Sequence, residues 1–446
     1  MKKTSKWMIN GQHRLGISWR RGMTCLVSGV LLGFFSSLFA DVPDTGTGIA
    51  APSGTYSSPE GIVAPSGTYA SPSNALAPTT SPSSAPFMES GHLPILFIAT
   101  VSEVYDDNIF VQPNKVSDFI TQISLLGEYK IGNDKAIDAS YFDIFYAPSV
   151  DIYADHSGQD SFNQRAGLLY QYRFSKLALG LEQTYARESA TSAAAGNLVT
   201  SSVYVTKASA DYNYSDKLSV IGDFTQTLTD YETAGFSYSN EWAADAYFLY
   251  QLDPKLSIGF GPTVGWLDLG YGAPSQTYQQ MLARVNYLYS GKLSFNLSAG
   301  AEVREYSGSV TGDTVEPVFS LSGTYQPFIN TNITLVGQRQ FDPSYNFYGQ
   351  DYIATSVSLI GRQRFLQKFY YNVGFGYEND SYQGAGIDLT GPARDDDYYY
   401  ATTGFDWDPN SWLKASIFYK YQKDDSSFSN FSFTDNQVGV SASFSY

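Results

Sequence analysis

From Ile95 to Tyr446 the chain alternates polar and apolar residues in segments of about ten. The segments come in pairs joined by a very short turn, and a longer polar stretch separates each pair from the next. The turns are alike: Phe174-Ser175-Lys176-Leu177, Asp216-Lys217-Leu218, Asp253-Pro254-Lys255-Leu256 and Ser290-Gly291-Lys292-Leu293. They recur near Lys135, Lys176, Lys217, Lys255, Lys292, Asn332, Lys368 and Ser411, a beat of about 36–43 residues. In the last segment Val438, Val440, Ala442, Phe444 and Tyr446 share one face. Gln437, Gly439, Ser441, Ser443 and Ser445 share the other. The same division sets Leu293, Phe295, Leu297, Ala299, Ala301 and Val303 against Ser294, Asn296, Ser298, Gly300, Glu302 and Arg304. It also sets Trp242, Ala244, Ala246, Phe248 and Tyr250 against Glu241 and Asp245.

Strands of this length, with short turns at one end and longer loops at the other, predict an all-β, antiparallel, up-and-down transmembrane barrel. Eighteen candidate strands in nine hairpins can be counted, with sixteen as the rival number. A soluble sandwich or propeller would also alternate. Here, however, the apolar faces carry Tyr toward the strand ends, as an aromatic girdle does, and the opposite faces carry charges, Gly and small residues, as a wet lumen does. An even strand number puts both termini on the periplasmic side. The terminal strand ends on aromatic Tyr446, the feature that barrel-assembly machinery reads in outer-membrane proteins.

Composition supports this reading. Aromatic and charged residues are each 16% of the 446 residues, a low charge content for a soluble protein. Mean hydropathy is −0.22, too polar for a bundle of membrane helices. No run after Phe39 reaches the about 18 apolar residues that a spanning helix needs. Residues 1–40 read as a signal peptide: Lys2, Lys3, Lys6, Arg14, Arg20 and Arg21 precede an apolar run from Met23 to Phe39, and Ala40 fits the last signal residue. Arg20-Arg21 hints at a twin-arginine signal, but an ordinary secretory signal suits a barrel that crosses unfolded. Cys25, the only cysteine, falls inside the signal, so disulfides and thiolate metal sites are not expected in the mature chain. Losing six basic residues of 27 leaves 21 against 43 acids, a net charge of −22, which argues against nucleic acid as a partner. Residues 41–94 are rich in Pro, Ser, Thr and Ala. They hold a repeat, Gly48-Ile49-Ala50-Ala51-Pro52-Ser53-Gly54-Thr55-Tyr56 and Gly61-Ile62-Val63-Ala64-Pro65-Ser66-Gly67-Thr68-Tyr69, and are expected to be a disordered periplasmic segment.

The first hairpin carries Tyr105-Asp106-Asp107-Asn108-Ile109-Phe110 and then Lys115-Val116-Ser117-Asp118-Phe119-Ile120. This resembles the opening of the putative β-barrel porin 2 family of Gram-negative outer-membrane proteins. There a Tyr-Asp-x-Asn-(Ile/Val)-Phe segment leads through a short loop to a Ser-Asp strand start. The likeness in architecture runs from Ile95 to Tyr446, while the motif spans only residues 105–120. The resemblance implies an outer-membrane barrel of porin type, in a family often linked to envelope or exopolysaccharide functions. It brings no catalytic residues.

Candidate chemistry outside the lumen is thin. His92 and His156 are the histidines left after the signal. His156, among Asp155, Ser157 and Asp160 in an expected loop from Asp151 to Ser161, has neighbours suited to a Ser/His/Asp arrangement, but a solvated loop histidine fits as well. Asp106-Asp107, Asp395-Asp396-Asp397 and Asp424-Asp425 lack calcium-loop spacing and read as solvated loop acids. No cofactor, metal centre or enzymatic activity is expected. Strand parity instead turns Arg165, Arg173, Lys207, Arg284, Arg304, Glu128, Glu182, Asp211, Asp223, Asp245 and Glu302 inward. Facing lipid at mid-bilayer would cost roughly 2–4 kcal/mol for each Lys or Arg. Segregated bases and acids would form a selective constriction; mixed ones would satisfy one another.

The sequence therefore predicts a passive pore for small hydrophilic solutes or ions, with acid in excess and a preference for cations. The alternative is a structural or interaction barrel of the envelope, for example one serving polysaccharide export, with a blocked lumen. The loops are short and none is an obvious plug, which favours an open or merely narrowed pore. Outer-membrane lipid and lipopolysaccharide are the expected surroundings, and homo-oligomerisation stays open.

Overall fold

The computed structural model describes residues 95–133, 138–192, 197–270, 274–307, 313–343, 351–382 and 394–446. The signal at 1–40, the segment 41–94, His92 and Lys135 lie outside the described residues. The strands of the first half are β1 (Ile95–Asp106), β2 (Asp118–Gly132), β3 (Ser140–Tyr153), β4 (Ser161–Arg173), β5 (Leu177–Ser192), β6 (Asn197–Asn213), β7 (Leu218–Tyr231), β8 (Ser239–Asp253) and β9 (Leu256–Leu269). Those of the second are β10 (Gln276–Ser290), β11 (Leu293–Tyr306), β12 (Thr314–Tyr325), β13 (Thr331–Pro343), β14 (Asp351–Phe365), β15 (Phe369–Tyr382), β16 (Asp395–Asn410), β17 (Leu413–Ser426) and β18 (Phe433–Ser445). Each strand pairs antiparallel with its neighbours in sequence, and β1 closes on β18 from Ile98↔Ser445 to Asp106↔Gln437. The count is eighteen. Closure matters because lipid offers no hydrogen bonds to an open edge.

The alternation becomes two faces. Outside, Val101, Ile123, Ile144, Phe260, Met281, Phe375, Ile417, Val440 and Phe444 stand exposed. Rings stack between neighbouring strands: Trp242 on Trp266, Phe369 on Trp407, and Trp412 on Phe444. Toward the long-loop end the same face turns polar: Glu103 accepts from Thr121, Lys423 pairs with Asp425, and Asn436 binds Asp107. The strands therefore project beyond the apolar band there. Two expected boundaries move. The turn before β13 lies at 326–330, with Asn332 inside the strand, and β3 continues through Asp151 to Tyr153.

One seam departs from the regular wall. The pairing of β12 with β13 stops at Phe319↔Arg339, although β12 extends to Thr314 and β13 to Pro343. Two residues account for it. Arg339 has the parity of Ile333 and Leu335, so a straight β13 would aim its guanidinium at lipid. Pro317 lacks the N–H that the ladder would use. Instead Arg339 fills the split: Nε donates to the Pro317 carbonyl (3.1 Å), Nη1 to Thr355 Oγ1 (2.8 Å), and Nη2 pairs with Glu316 (3.0 Å). Above this point β13 parts from β12, and the β13–β14 hairpin, still paired with β15 up to Tyr352↔Tyr382, bends inward. Gln276 Nε2 and the Tyr306 hydroxyl donate to Asp351 at 3.0 and 2.7 Å, and the Arg304 guanidinium lies 4.7 Å from the Phe341 ring centroid. Gln276, Arg304 and Tyr306 share the lumen face of β10 and β11, so the hairpin lies inside the barrel against that face.

Candidate functional site

Register places all eleven charged residues read from parity on the face opposite the apolar belt. Most occupy one side of the lumen, from β4 to β10. Lys207 stands opposite Glu182 in the ladder and pairs with Asp223 at 3.3 Å. Asp223 in turn stands opposite Asp245. Arg173 and Lys207 are the cations around Asp211, and Arg284 and Lys207 those around Asp245. The Arg284 guanidinium lies 3.7 Å from the Tyr247 ring centroid. Nearer the long-loop end Arg165 pairs with Glu188 (2.5 Å). On the adjoining strands Glu128 pairs with Lys130 (2.8 Å), which also reaches Asp143 (3.4 Å). Bases and acids thus interleave, and no face of one sign forms in this row.

Across the lumen charges are sparser, with Glu378 opposite Ser356, Lys420 opposite Thr402, and Asp406 between Arg362 and Lys414, and small residues fill the positions between them. There β12 presents Ser320, Ser322 and Thr324, β14 Ser356 and Ser358, β15 Gly374 and Gly376, β16 Thr402 and Gly404, and β18 Gly439 and Ser441. A solute at mid-height meets a dense row of interleaved acids and bases on one side, and on the other hydroxyls and glycines with fewer charges.

The remaining two residues, Glu302 and Arg304, have a different setting. Their ion pair (2.7 Å) keeps only 1% and 4% side-chain exposure, against 14% and 21% for Asp223 and Lys207. Gln280 donates to Glu302, Arg304 donates to Gln276, and the hairpin covers them.

The mouth is filled from the opposite side by the connection 107–117, the segment that carries the family resemblance. Asn108 is fully buried. Its Nδ2 donates to the carbonyls of Gln112 (2.8 Å) and Thr434 (2.9 Å), its Oδ1 accepts from the Gln112 amide, and its own amide donates to Asp106 (2.7 Å). The next apolar residue, Ile109, packs with Val104, Ile120, Tyr153 and Phe418 on the lumen face. Val111 packs on Phe433 and has φ 46°, a strained setting for a β-branched residue. The Asn, the Ile and the acid before them are thus the parts of a loop that turns into the barrel. Outside, Asp107 anchors it through Lys115 (2.7 Å) and Asn436 (2.8 Å). Burial raises this carboxyl, but those bonds outweigh it and hold it below the usual carboxylate range.

Two sets of contacts on the lumen face of β16 and its neighbours lie between the ingrowths. Tyr352 stacks on Tyr382, Arg394 lies over Tyr382 and Phe431 and pairs with Asp396, and Tyr398 packs on Phe433, which touches Val111. The expectation of solvated loop acids is corrected here. Asp106, Asp396 and Asp424 sit in strands, point inward and are buried, because parity sends alternate members of each acid run to opposite faces. Asp107, Asp395 and Asp425 have the outer parity. His156 is held by Asp118, with Nδ1 and Oδ2 2.9 Å apart, and its ring lies edge-on to Phe110. Asp118 also accepts from the amides of Phe119, Asp155 and His156, so the pair fastens the mouth. No group of three or more His, Cys, Asp or Glu suited to a metal ion occurs among the described residues.

Sequence parity missed Arg339, Asp351, Asn108 and Arg394. Only Arg339 left a trace, as a base on an outward position.

The model of the family described as "Putative beta-barrel porin 2" matches residues 274–446, which cover β10 to β18. The motif in the first hairpin lies outside that match. No curated protein sequence matches the chain. Among solved structures, Pseudomonas aeruginosa OccK2 (OpdF) is similar at 11% identity and TM-score 0.46, covering 80% of this chain and 99% of its own. Pseudomonas aeruginosa OpdK with vanillate has 10% identity and TM-score 0.44, covering 80% and 100%. Acinetobacter baumannii OccAB4 has 11% identity and TM-score 0.43, covering 79% and 98%.

Proposed function

We propose that this protein is an outer-membrane channel for passive diffusion of small hydrophilic solutes, wet and ion-lined at mid-lumen and narrowed at its long-loop mouth. One observation carries the reading: the β4–β10 row of ion pairs retains solvent contact inside a closed barrel of eighteen strands. Barrels of about 16–18 strands enclose an aqueous channel. The match to a porin family over the last nine strands supports the same class. With the long loops outward, solutes enter from the extracellular side past the hairpin and loop 107–117, then cross between the interleaved charges of the β4–β10 row and a wall richer in hydroxyls and glycine. No chemistry is required. A preference for cations forms part of the proposal. It rests on the row's acids Glu182, Glu188, Asp211, Asp223 and Asp245 against Arg165, Arg173, Lys207 and Arg284, an excess of one. Conductance in planar bilayers tests the channel, and a folded barrel that passes no current would refute it. Reversal potential in a salt gradient tests the preference; a value favouring chloride would remove it.

The envelope-barrel reading, in which the lumen is blocked and the barrel serves as scaffold or docking element, is favoured by the two ingrowths at the mouth. It predicts no conductance in the wild type and conductance only after loop 107–117 or the hairpin is loosened.

A further inference from the structure

The two rims differ in charge. Among the described residues, the connections at the long-loop end carry Asp107, Asp155, Asp160, Glu232 and Asp313 against Lys115 and Arg394. The short turns reverse this, with Lys176, Lys217, Lys255, Lys292 and Lys368 against Asp138 and Asp216. The lysines are also placed alike. Lys176 Nζ donates to the Tyr214 carbonyl (3.3 Å), Lys255 to that of Tyr289 (3.2 Å), Lys292 to that of Pro327 (2.9 Å), and Lys368 to that of Pro409. Each therefore reaches to the next hairpin's end and is held there, exposed. An ammonium has three donors, and one bond to a carbonyl leaves two for a ligand. Tyr214 and Tyr289, whose carbonyls two of the lysines hold, are 62% and 59% exposed on the outer face, and Phe328, Leu366 and Trp412 extend this apolar fringe. Aromatics of this kind mark headgroup depth.

We infer that the short-turn rim is a collar for anionic phospholipid, in which Lys176, Lys255, Lys292 and Lys368 hold headgroup phosphates of the periplasmic leaflet. Pre-placed ammonium groups just beyond an aromatic girdle complement a phosphodiester whose acyl chains lie along the girdle. The collar is independent of whether the lumen conducts, and rests only on the barrel's place in the membrane.

The test uses the full barrel in nanodiscs of mixed phosphatidylglycerol and phosphatidylcholine, with bound lipids counted by native mass spectrometry. The wild type should retain phosphatidylglycerol several-fold above the bulk ratio. The K176Q/K255Q/K292Q/K368Q variant should fall to the bulk ratio, and the corresponding four Lys→Arg changes should keep the enrichment. K115Q/K423Q, at the opposite rim, should match the wild type. If the fourfold glutamine variant fails to fold, K176Q/K255Q and K292Q/K368Q should each lose about half of the enrichment. Enrichment unchanged in the glutamine variants, none in the wild type, or capture of acidic peptidoglycan fragments in place of phosphatidylglycerol would overturn the inference.

Discussion

The mid-lumen row and the long-loop mouth are built from the same residue types on the same face of one sheet, yet they behave as different materials. Lys207 and Asp223 pair across neighbouring strands and stay wet. Arg304 and Glu302 pair along one strand and are dry, because a hairpin lies over them. Burial therefore separates the two regions, and it comes from backbone leaving its regular path: β13 at Arg339, and the chain after Asp106. An exposed ion pair contributes about 0–1 kcal/mol, whereas a buried one becomes costly once a partner is removed. The mouth should be sensitive to single changes and the row tolerant of them.

The largest effect is expected in the loop. Asn108→Ala removes a fully buried amide and its bonds to the half-buried carbonyls of Gln112 and Thr434, about 0.5–1.5 kcal/mol each. It should free 107–117 from the lumen, raise single-channel conductance several-fold and open the segment to added protease. Conductance equal to wild type would remove the loop from the constriction.

Next comes the hairpin. Arg339→Leu makes the outward position of β13 compatible with lipid, and Asp351→Ala removes the acceptor of Gln276 and Tyr306. The double variant should let β13 extend its pairing with β12. A disulfide between cysteines placed at Val315 and Pro343, positions that face each other if the register continues, should form in that variant and not in the background carrying the two cysteines alone. Formation in both would mean that the wall is closed at rest.

A smaller effect is expected in the row. Lys207→Gln, at a half-buried pair, should cost about 1–2 kcal/mol of unfolding stability, less than breaking the dry Arg304–Glu302 pair. It should move the reversal potential toward cations, since Glu182, Asp211 and Asp223 lose a common neighbour. A large loss of stability with unchanged selectivity would show that the row is structural.

The smallest effect is that of acid on the loop anchor. The folded-state carboxyl of Asp107 is held below its unfolded value, so its contribution is complete at neutral pH and is lost as pH falls below about 4. Hydrogen exchange in 107–117 should quicken in that range, and Asp107→Asn should abolish the pH dependence.

These contrasts show what the chain discloses as sequence. The barrel class and the parity of the eleven charges follow from a period of two, because one face of every strand meets lipid and an Arg or Glu at mid-bilayer depth is confined to the other. Parity says which way a residue points and nothing about what lies over it. Glu302 and Arg304 read like Lys207 and Asp223 until a hairpin some 40 residues further along the chain is seen to cover them. Arg339 breaks the alternation, a local signal that the wall fails at that point. Asn108 and Asp351 leave no such signal, since a polar residue near a loop is unremarkable until its bonding partners, as distant in sequence as Thr434 and Gln276, are brought beside it. The short loops were compatible with an open pore only on the assumption that a plug requires length. Here the loop 107–117 and a bent hairpin fill the mouth together.

The asymmetry between the two ends is most directly measured by polymer exclusion in single channels. Poly(ethylene glycol) of graded size is added to one side at a time, and orientation is fixed by a protease site in the long loops. Larger polymers should enter and lower the conductance from the short-turn side than from the long-loop side, and the Asn108→Ala variant should narrow that gap. The same size cut-off from both sides would contradict a constriction at the long-loop mouth.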